Sequence, residues 1–402
     1  MAPAARTLNT LTSGARRVSK RLIASYVIDW ILILGTVAVG GAFSKIHGNK
    51  HAFSLQDPNI SFPYHDDTVT VPVLIIVSVV APGVITAVIS LLFVPGPTAH
   101  KSTPSSLVWR RKLWEWNAAW MGLGVALAGA FIITEGLKDV AGKPRPFLLA
   151  VCDPDLSPDS IRRHQVGGTG TSLDSATPIM VDWHICRQTD QGKLRNAFAS
   201  WPSGHSSFSW AGMLYLSLFI CAKFAVQIPF LLPGSSSQRF ISTFDEDTDS
   251  VDELRRKNSQ TSSASRVQPP RNQAAAPPIY LLIIAFIPVA TAMFISTSRW
   301  FDYRHHGFDI ISGSLLGIFT AWFGFRWYHL PIQGGSGWAW GARSRGRAFW
   351  LGIGRPGYVG DEGWEAARLG TSRGDVESGR LVTGPGIPDR RDSTEVASPT
   401  VG

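Results

Sequence analysis

Residues 279–325 read IYLLIIAFIPVATAMFISTSRWFDYRHHGFDIISGSLLGIFTAWFGF. Two long apolar runs, starting at Ile279 and Phe308, flank a short polar turn in which two adjacent histidines stand between an arginine and an aspartate. A helix that crosses a bilayer needs about 20 mostly apolar residues, because lipid offers no partner for bare backbone groups. Both runs are of that order.

Four further runs of the same kind precede them, starting at Ser25, Val71, Ala118 and Ser206. The chain has 402 residues, 45% hydrophobic and only 17% charged, and its apolar residues lie in these blocks rather than spread along it. A soluble core rarely holds so many runs of this length. The expected fold is all-α: a polytopic membrane bundle of six transmembrane helices. Arg16, Arg17, Lys20 and Arg21 lead into a first run too long for a cleaved signal peptide, which reads as a retained anchor.

Cytoplasmic flanks are enriched in Lys and Arg. The N-terminal arm, the second connection with Lys101, Arg110, Arg111 and Lys112, and the tail with Arg326, Arg343, Arg345 and Arg347 therefore face the cytosol. The first connection, with Asp57, Asp66 and Asp67 against Lys45 and Lys50, fits the other side. The third connection is basic although six-span parity places it outside, so its charges need a chemical reason.

The expected organisation is a cytosolic basic arm over 1–21, a six-span domain over 22–330, and a cytosolic, disordered tail over 331–402. Within the domain, residues 233–278 have the composition of a disordered cytosolic linker, with DEDTDSVDE, RRKNSQ and QPPRNQAAAPP. There is no internal repeat, no Gly-rich nucleotide loop and no zinc-type cysteine spacing.

Three pieces carry chemistry: Lys138, then six residues, then Arg145 and Pro146; Pro202, Ser203, Gly204 and His205 at the start of the fourth run; and Ser298, Arg299, five residues, His305, three residues, and Asp309. Span parity puts all three at one membrane face. Lys138, Arg145 and Arg299 can neutralise phosphate oxygens, and N–H groups at Ser203, Gly204 and His205 can cradle them. With cations doing this work no metal is required. One histidine can attack phosphorus while the other protonates the leaving oxygen. Asp309, four residues after His305 and three after His306, is spaced to orient either ring.

Together the pieces resemble the signature of the type 2 phosphatidic acid phosphatase superfamily, K-x6-R-P, P-S-G-H and S-R-x5-H-x3-D, with every position filled. The resemblance implies His305 as nucleophile, Asp309 as its orienter, His205 as general acid, and Lys138, Arg145, Ser203, Gly204 and Arg299 as phosphate ligands. It leaves His306 without a catalytic role. It also extends to the lipid phosphate phosphatase branch, including diacylglycerol pyrophosphate phosphatases. That implies a membrane-embedded phosphoric monoester hydrolase acting on phosphatidate, diacylglycerol pyrophosphate or related lipid phosphates at the lumenal or outer face of a secretory-pathway or plasma membrane. The expected mechanism uses a phosphohistidine, with no cofactor and no nucleic-acid partner. A phosphotransferase of the same fold and a non-enzymatic lipid binder are the rival readings. The insert from Leu156 to Asn196 is long for this branch and bears on access to the site.

Two further expectations follow from topology. Cys152 and Cys186 both fall in the outer third connection, where disulfides persist, whereas Cys221 lies within a span. Asn59, in Asn-Ile-Ser, is a glycosylation acceptor if it faces the lumen.

Overall fold

The structure, a computed structural model, describes residues 19–94, 105–166, 179–229, 276–332, 337–343 and 348–349. Most of the basic arm, nearly all of the 233–278 linker and most of the tail lie outside the described residues.

Six long helices occupy the expected runs: α1 (Lys20–Phe43), α2 (Val71–Phe93), α3 (Ser105–Ala141), then α7 (Gly204–Lys223), α8 (Ile279–Phe301) and α9 (Gly307–Tyr328). Between α3 and α7 lie the short helices α4 (Leu148–Cys152), α5 (Pro158–His164) and α6 (Gln191–Ala197). Near Pro82, α2 passes through one π turn, Ile76–Val80. A proline without an N–H breaks the regular hydrogen-bond ladder, and the extra residue accommodates it.

Five of the six, all but α7, are long and apolar enough to cross a membrane by composition. The exception is physical. α7 packs against α9, α8, α3 and α2, and its buried positions include Ser206, Ser207, Ser209, Gly212 and Ser217. A helix enclosed by other helices needs small residues for close packing, whereas one facing lipid needs an apolar exterior. α1 is the opposite case, with Ile31, Leu32 and Leu34 all exposed. Gly313 and Gly317, one turn apart on α9, show how close the central helices come: a Cβ at either would collide with the α7 backbone at Ser203 or Ser207.

At one end of the bundle, the connection after α1 and the one after α3 build a cap. Strand β1 (Phe53–Ser54) pairs antiparallel with β2 (Met180–Val181). Beneath them Phe53, Ile60, Phe147, Leu148, Cys152, Val181, Ile185, Leu194 and Phe198 form one apolar cluster. The described residues of the insert, 156–166 and 179–196, are therefore a folded part of this cap, and a Cys152–Cys186 disulfide ties it together. Asn59 is exposed on the 3-10 turn Pro58–Ile60 of the same cap.

At the opposite end lie the described residues of the expected tail. Residues 337–343 and 348–349 are held against the bundle rather than loose. The buried Glu115–Lys223 ion pair accepts the Ala339 N–H on Glu115 and donates to the Gly337 carbonyl. Further along, Arg343 pairs with Asp29 at 2.6 Å and Ser25 donates to the Ala348 carbonyl. A buried ion pair must satisfy its remaining donors and acceptors, and the returning chain does so here.

Candidate active site

α3 ends, and α7 and α9 begin, at the capped end of the bundle, and α8 ends there too. This brings the three sequence pieces into one cluster. Lys138 sits in the last turn of α3, its ammonium held at 2.6 Å by Glu135, one turn earlier on the same face. The same ammonium lies over Gly204, where a Cβ would come within 2.9 Å of Nζ.

Arg145 follows in the loop after α3, its backbone N–H donating to the Ala197 carbonyl. Only 8% exposed, its guanidinium has no ion-pair partner among the described residues, and its Nε has no hydrogen bond. Burial, and next the charge of Arg304, lower its pKa to about 10. An unpaired buried cation of this kind is a receptor for an anion.

His305 lies just before α9 and is 3% exposed. Its Nδ1 is 2.6 Å from the Ser200 carbonyl, so Nδ1 carries the hydrogen and Nε2 keeps its lone pair. Burial first, then Arg145 and Lys138, hold its pKa well below the ordinary histidine value. Both the lowered pKa and the Nδ1 contact favour the neutral ring with a lone pair on Nε2.

Asp309 does not touch that ring. Its fully buried carboxylate accepts from Lys143 and Ser200 Oγ, each at 2.6 Å, and from the His306 N–H at 3.1 Å, with His306 Nδ1 at 3.2 Å. The expected four-residue spacing fails because α9 starts at Gly307. His305 lies before the helix, whereas His306 is the N-cap and forms a reciprocal capping box with Asp309. Among the described residues, Asp309 is linked to His305 through Ser200, whose hydroxyl it binds and whose carbonyl holds the ring.

Ser203 is the N-cap of α7, its side chain accepting from Ser206. Its own N–H is not free for a phosphate, since it donates to the Asp309 carbonyl at 3.0 Å. Of the three expected donors, the Gly204 and His205 N–H groups have no acceptor among the described residues, as expected in the first helical turn. His205 points Nε2 at the Val69 carbonyl, 3.0 Å away.

Arg299, 1% exposed, is the most heavily paired cation: Asp67 at 2.7 Å, Asp302 at 2.8 Å, and two contacts to Ser298 Oγ. Asp302 in turn accepts from the N–H and hydroxyl of Thr68. A strap running from Asn59 to Thr70 thus crosses the site. It is fastened by the Asn59 carbonyl to His306, by the His65 carbonyl to Arg304, and by Phe62 stacked on Tyr303.

Sequence reasoning missed Lys143, Ser200, Asp67, Asp302 and Arg304. Asp302 and Arg304 stood inside the x5 gap of the third piece, and Lys143 one residue before a proline of the first. Ser200 and Asp67 carried no local signal. Among the described residues, no three His, Cys, Asp or Glu side chains gather as a metal site requires.

Comparison with known proteins places the chain in a family. The family model of the PAP2 superfamily matches residues 119–332, more than half of the chain and inclusive of all three pieces. The chain belongs to the PAP2 superfamily. It is 31% identical over 208 residues to a PA-phosphatase related-family protein of Dictyostelium discoideum, covering 52% of this chain and 55% of that protein. With diacylglycerol pyrophosphate phosphatase 1 of Saccharomyces cerevisiae it shares 25% identity over 53% of its own length and 52% of the yeast protein's. With lipid phosphate phosphatase 2 of Arabidopsis thaliana it shares 22% over 77% and 79%. The chain thus spans about half the length of the first two relatives and more of the third. No solved structure matches it.

Proposed function

We propose that the chain is an integral membrane lipid phosphate phosphatase. It removes the terminal phosphate from lipids such as phosphatidate or diacylglycerol pyrophosphate through a phosphohistidine and without a metal. The observation that carries this is the buried, unpaired Arg145 beside a neutral His305 with a free Nε2. Membership of the PAP2 superfamily and the names of the yeast and plant relatives support it.

In the first step His305 Nε2 attacks phosphorus. The P–N bond forms as the bond to the lipid oxygen breaks, and His205 passes a proton to that oxygen. In the second, water attacks phosphorus, His205 takes the proton, and the P–N bond breaks to release inorganic phosphate and neutral His305. Lys138, Arg145 and Arg299, with the Gly204 and His205 N–H groups, neutralise the oxygens of the five-coordinate phosphorus, the role a metal would otherwise fill. Asp309 and Ser203 act as positioning residues. In this reading α7 is a sixth crossing, and the cap and Asn59 face the lumenal or outer side.

Phosphate release from a panel of lipid phosphates, by purified protein in detergent with excess chelator, tests the proposal. Turnover that vanadate blocks, and that vanishes in His305→Ala and nearly so in His205→Ala, is expected. Strict dependence on added magnesium, or full turnover in His305→Ala, would refute it.

A further inference from the structure

We propose that Arg304 is a fourth cationic phosphate ligand, absent from the signature, and that the Asp67 carboxylate occupies its seat until a substrate phosphate displaces it. This rests on the phosphatase reading of the site. One oxygen, Asp67 Oδ1, stands 2.7 Å from Arg299 Nη1 and 3.1 Å from Arg304 Nε. A single oxygen shared by two guanidiniums is how a phosphate oxygen is held.

Arg304 is 3% exposed and adjoins the proposed nucleophile in sequence. Its Nη2 is used by the His65 carbonyl, but the approach of Asp67 to Nε is off-axis, and Nε remains a buried donor without a hydrogen bond. Such a donor costs free energy unless some ligand satisfies it. Arg304 also faces the unpaired Arg145: it is the charge that acts most strongly on that guanidinium, with Arg299 acting on it too. Three guanidiniums therefore converge, and among the described residues the carboxylates ion-paired with Arg299 and Arg304 are Asp67 and Asp302.

The two carboxylates are held differently. Asp302 is fixed by both Thr68 donors as well as by Arg299, and its side chain is 6% exposed. Among the described residues Asp67 has no side-chain partner but the two arginines, and its side chain is 32% exposed. It is the carboxylate that can swing to water. When it does, Arg299 and Arg304 both turn to an incoming anion beside Arg145. The strap delivers Asp67 and also the Val69 carbonyl that faces His205, so one segment occupies both the anion seat and the proposed acid.

Orthovanadate is the probe, used on the purified full-length protein in two ways: as an inhibitor of phosphate release, and as a ligand that raises the melting temperature. Arg304→Gln should weaken vanadate inhibition by about ten-fold or more, the lower end for losing a bond to a charged group. Asp67→Asn should tighten it several-fold, because the competing carboxylate is gone. Arg304→Lys, which keeps the charge but not the fork, should fall between. Where Arg304→Gln does not fold, Arg304→Lys and Asp67→Asn decide. Normal turnover with vanadate inhibition unchanged in the variants, or weakened in Asp67→Asn, overturns this inference alone and leaves Arg304 as a clip for the strap. Wild-type protein that vanadate stabilises but that releases no phosphate refutes the phosphatase reading. The inference then stands or falls on whether the melting shifts follow the same order.

Discussion

Replacing Ser200 by alanine isolates the link between Asp309 and His305. The substitution removes one hydroxyl from a fully buried residue and leaves the backbone carbonyl that holds His305 Nδ1. Asp309 keeps Lys143 and the His306 N–H, so no charge is stranded. What is lost is one hydrogen bond to a carboxylate, 2.6 Å long and worth about 1.5–3 kcal/mol. If that bond fixes the Ser200 carbonyl, and through it the imidazole, the loss appears in the barrier. kcat then falls by roughly ten- to a hundred-fold, while KM, set by the cations, changes little. The assay is steady-state phosphate release in detergent micelles, with thermal melting to separate misalignment from unfolding. Asp309→Asn should be more damaging, since an amide presents donors to Lys143 or Ser200. Adding Ser200→Ala to it should cost little more, because the two act in one chain. A Ser200→Ala enzyme with kcat within about two-fold of wild type would refute the relay and require Asp309 to act on His305 by another route.

Three other outcomes are expected. Because burial and two cations lower the folded pKa of His305, the unfolded chain takes up the proton first as pH falls below the ordinary histidine value of about 6.5. Its contribution to stability is thus complete above that pH and is lost toward lower pH. His305→Gln should flatten the acid-side fall in melting temperature, and an unchanged slope would contradict the assignment. Gly204→Ala places a methyl against the Lys138 ammonium, so KM should rise several-fold with melting nearly unchanged; an unaltered KM would remove Lys138 from the phosphate site. Opening the Cys152–Cys186 bond, which closes a loop with a sequence separation of 34, should destabilise the cap by about 4 kcal/mol in the chain-entropy model, measured as a lower melting temperature in the double serine variant.

The six long helices were legible because each is coded locally. An unbroken apolar run of bilayer length has few alternatives, and the polar breaks between runs mark the turns. α7 was legible as a helix but not as the central one, since its small residues take on meaning only against the neighbours that enclose it. The cap was not legible. Its two-residue strands are too short to leave a period, and its cluster joins Phe53 to Phe198 across more than a hundred residues of chain. The docking of 337–343 was not legible because Gly, Ser and Arg describe composition, whereas its anchors are individual bonds to residues such as Glu115, Lys223 and Asp29.

The sequence by itself determined the helical membrane architecture and which lysine, arginines, histidines and aspartate stand at one end of the bundle. Spacing within each piece and the alternation of spans are local properties of a chain. Only the tertiary structure decided who touches whom there. It set Ser200 rather than Asp309 against the His305 ring, joined Asp309 to His306 and Lys143, and laid Asp67 between Arg299 and Arg304. Those pairings depend on where α9 starts and on how a strap from a distant connection crosses the site. A hydrogen bond is fixed by angstroms in space, and residues 67 and 299 or 200 and 309 acquire such a distance only when the helices between them have packed.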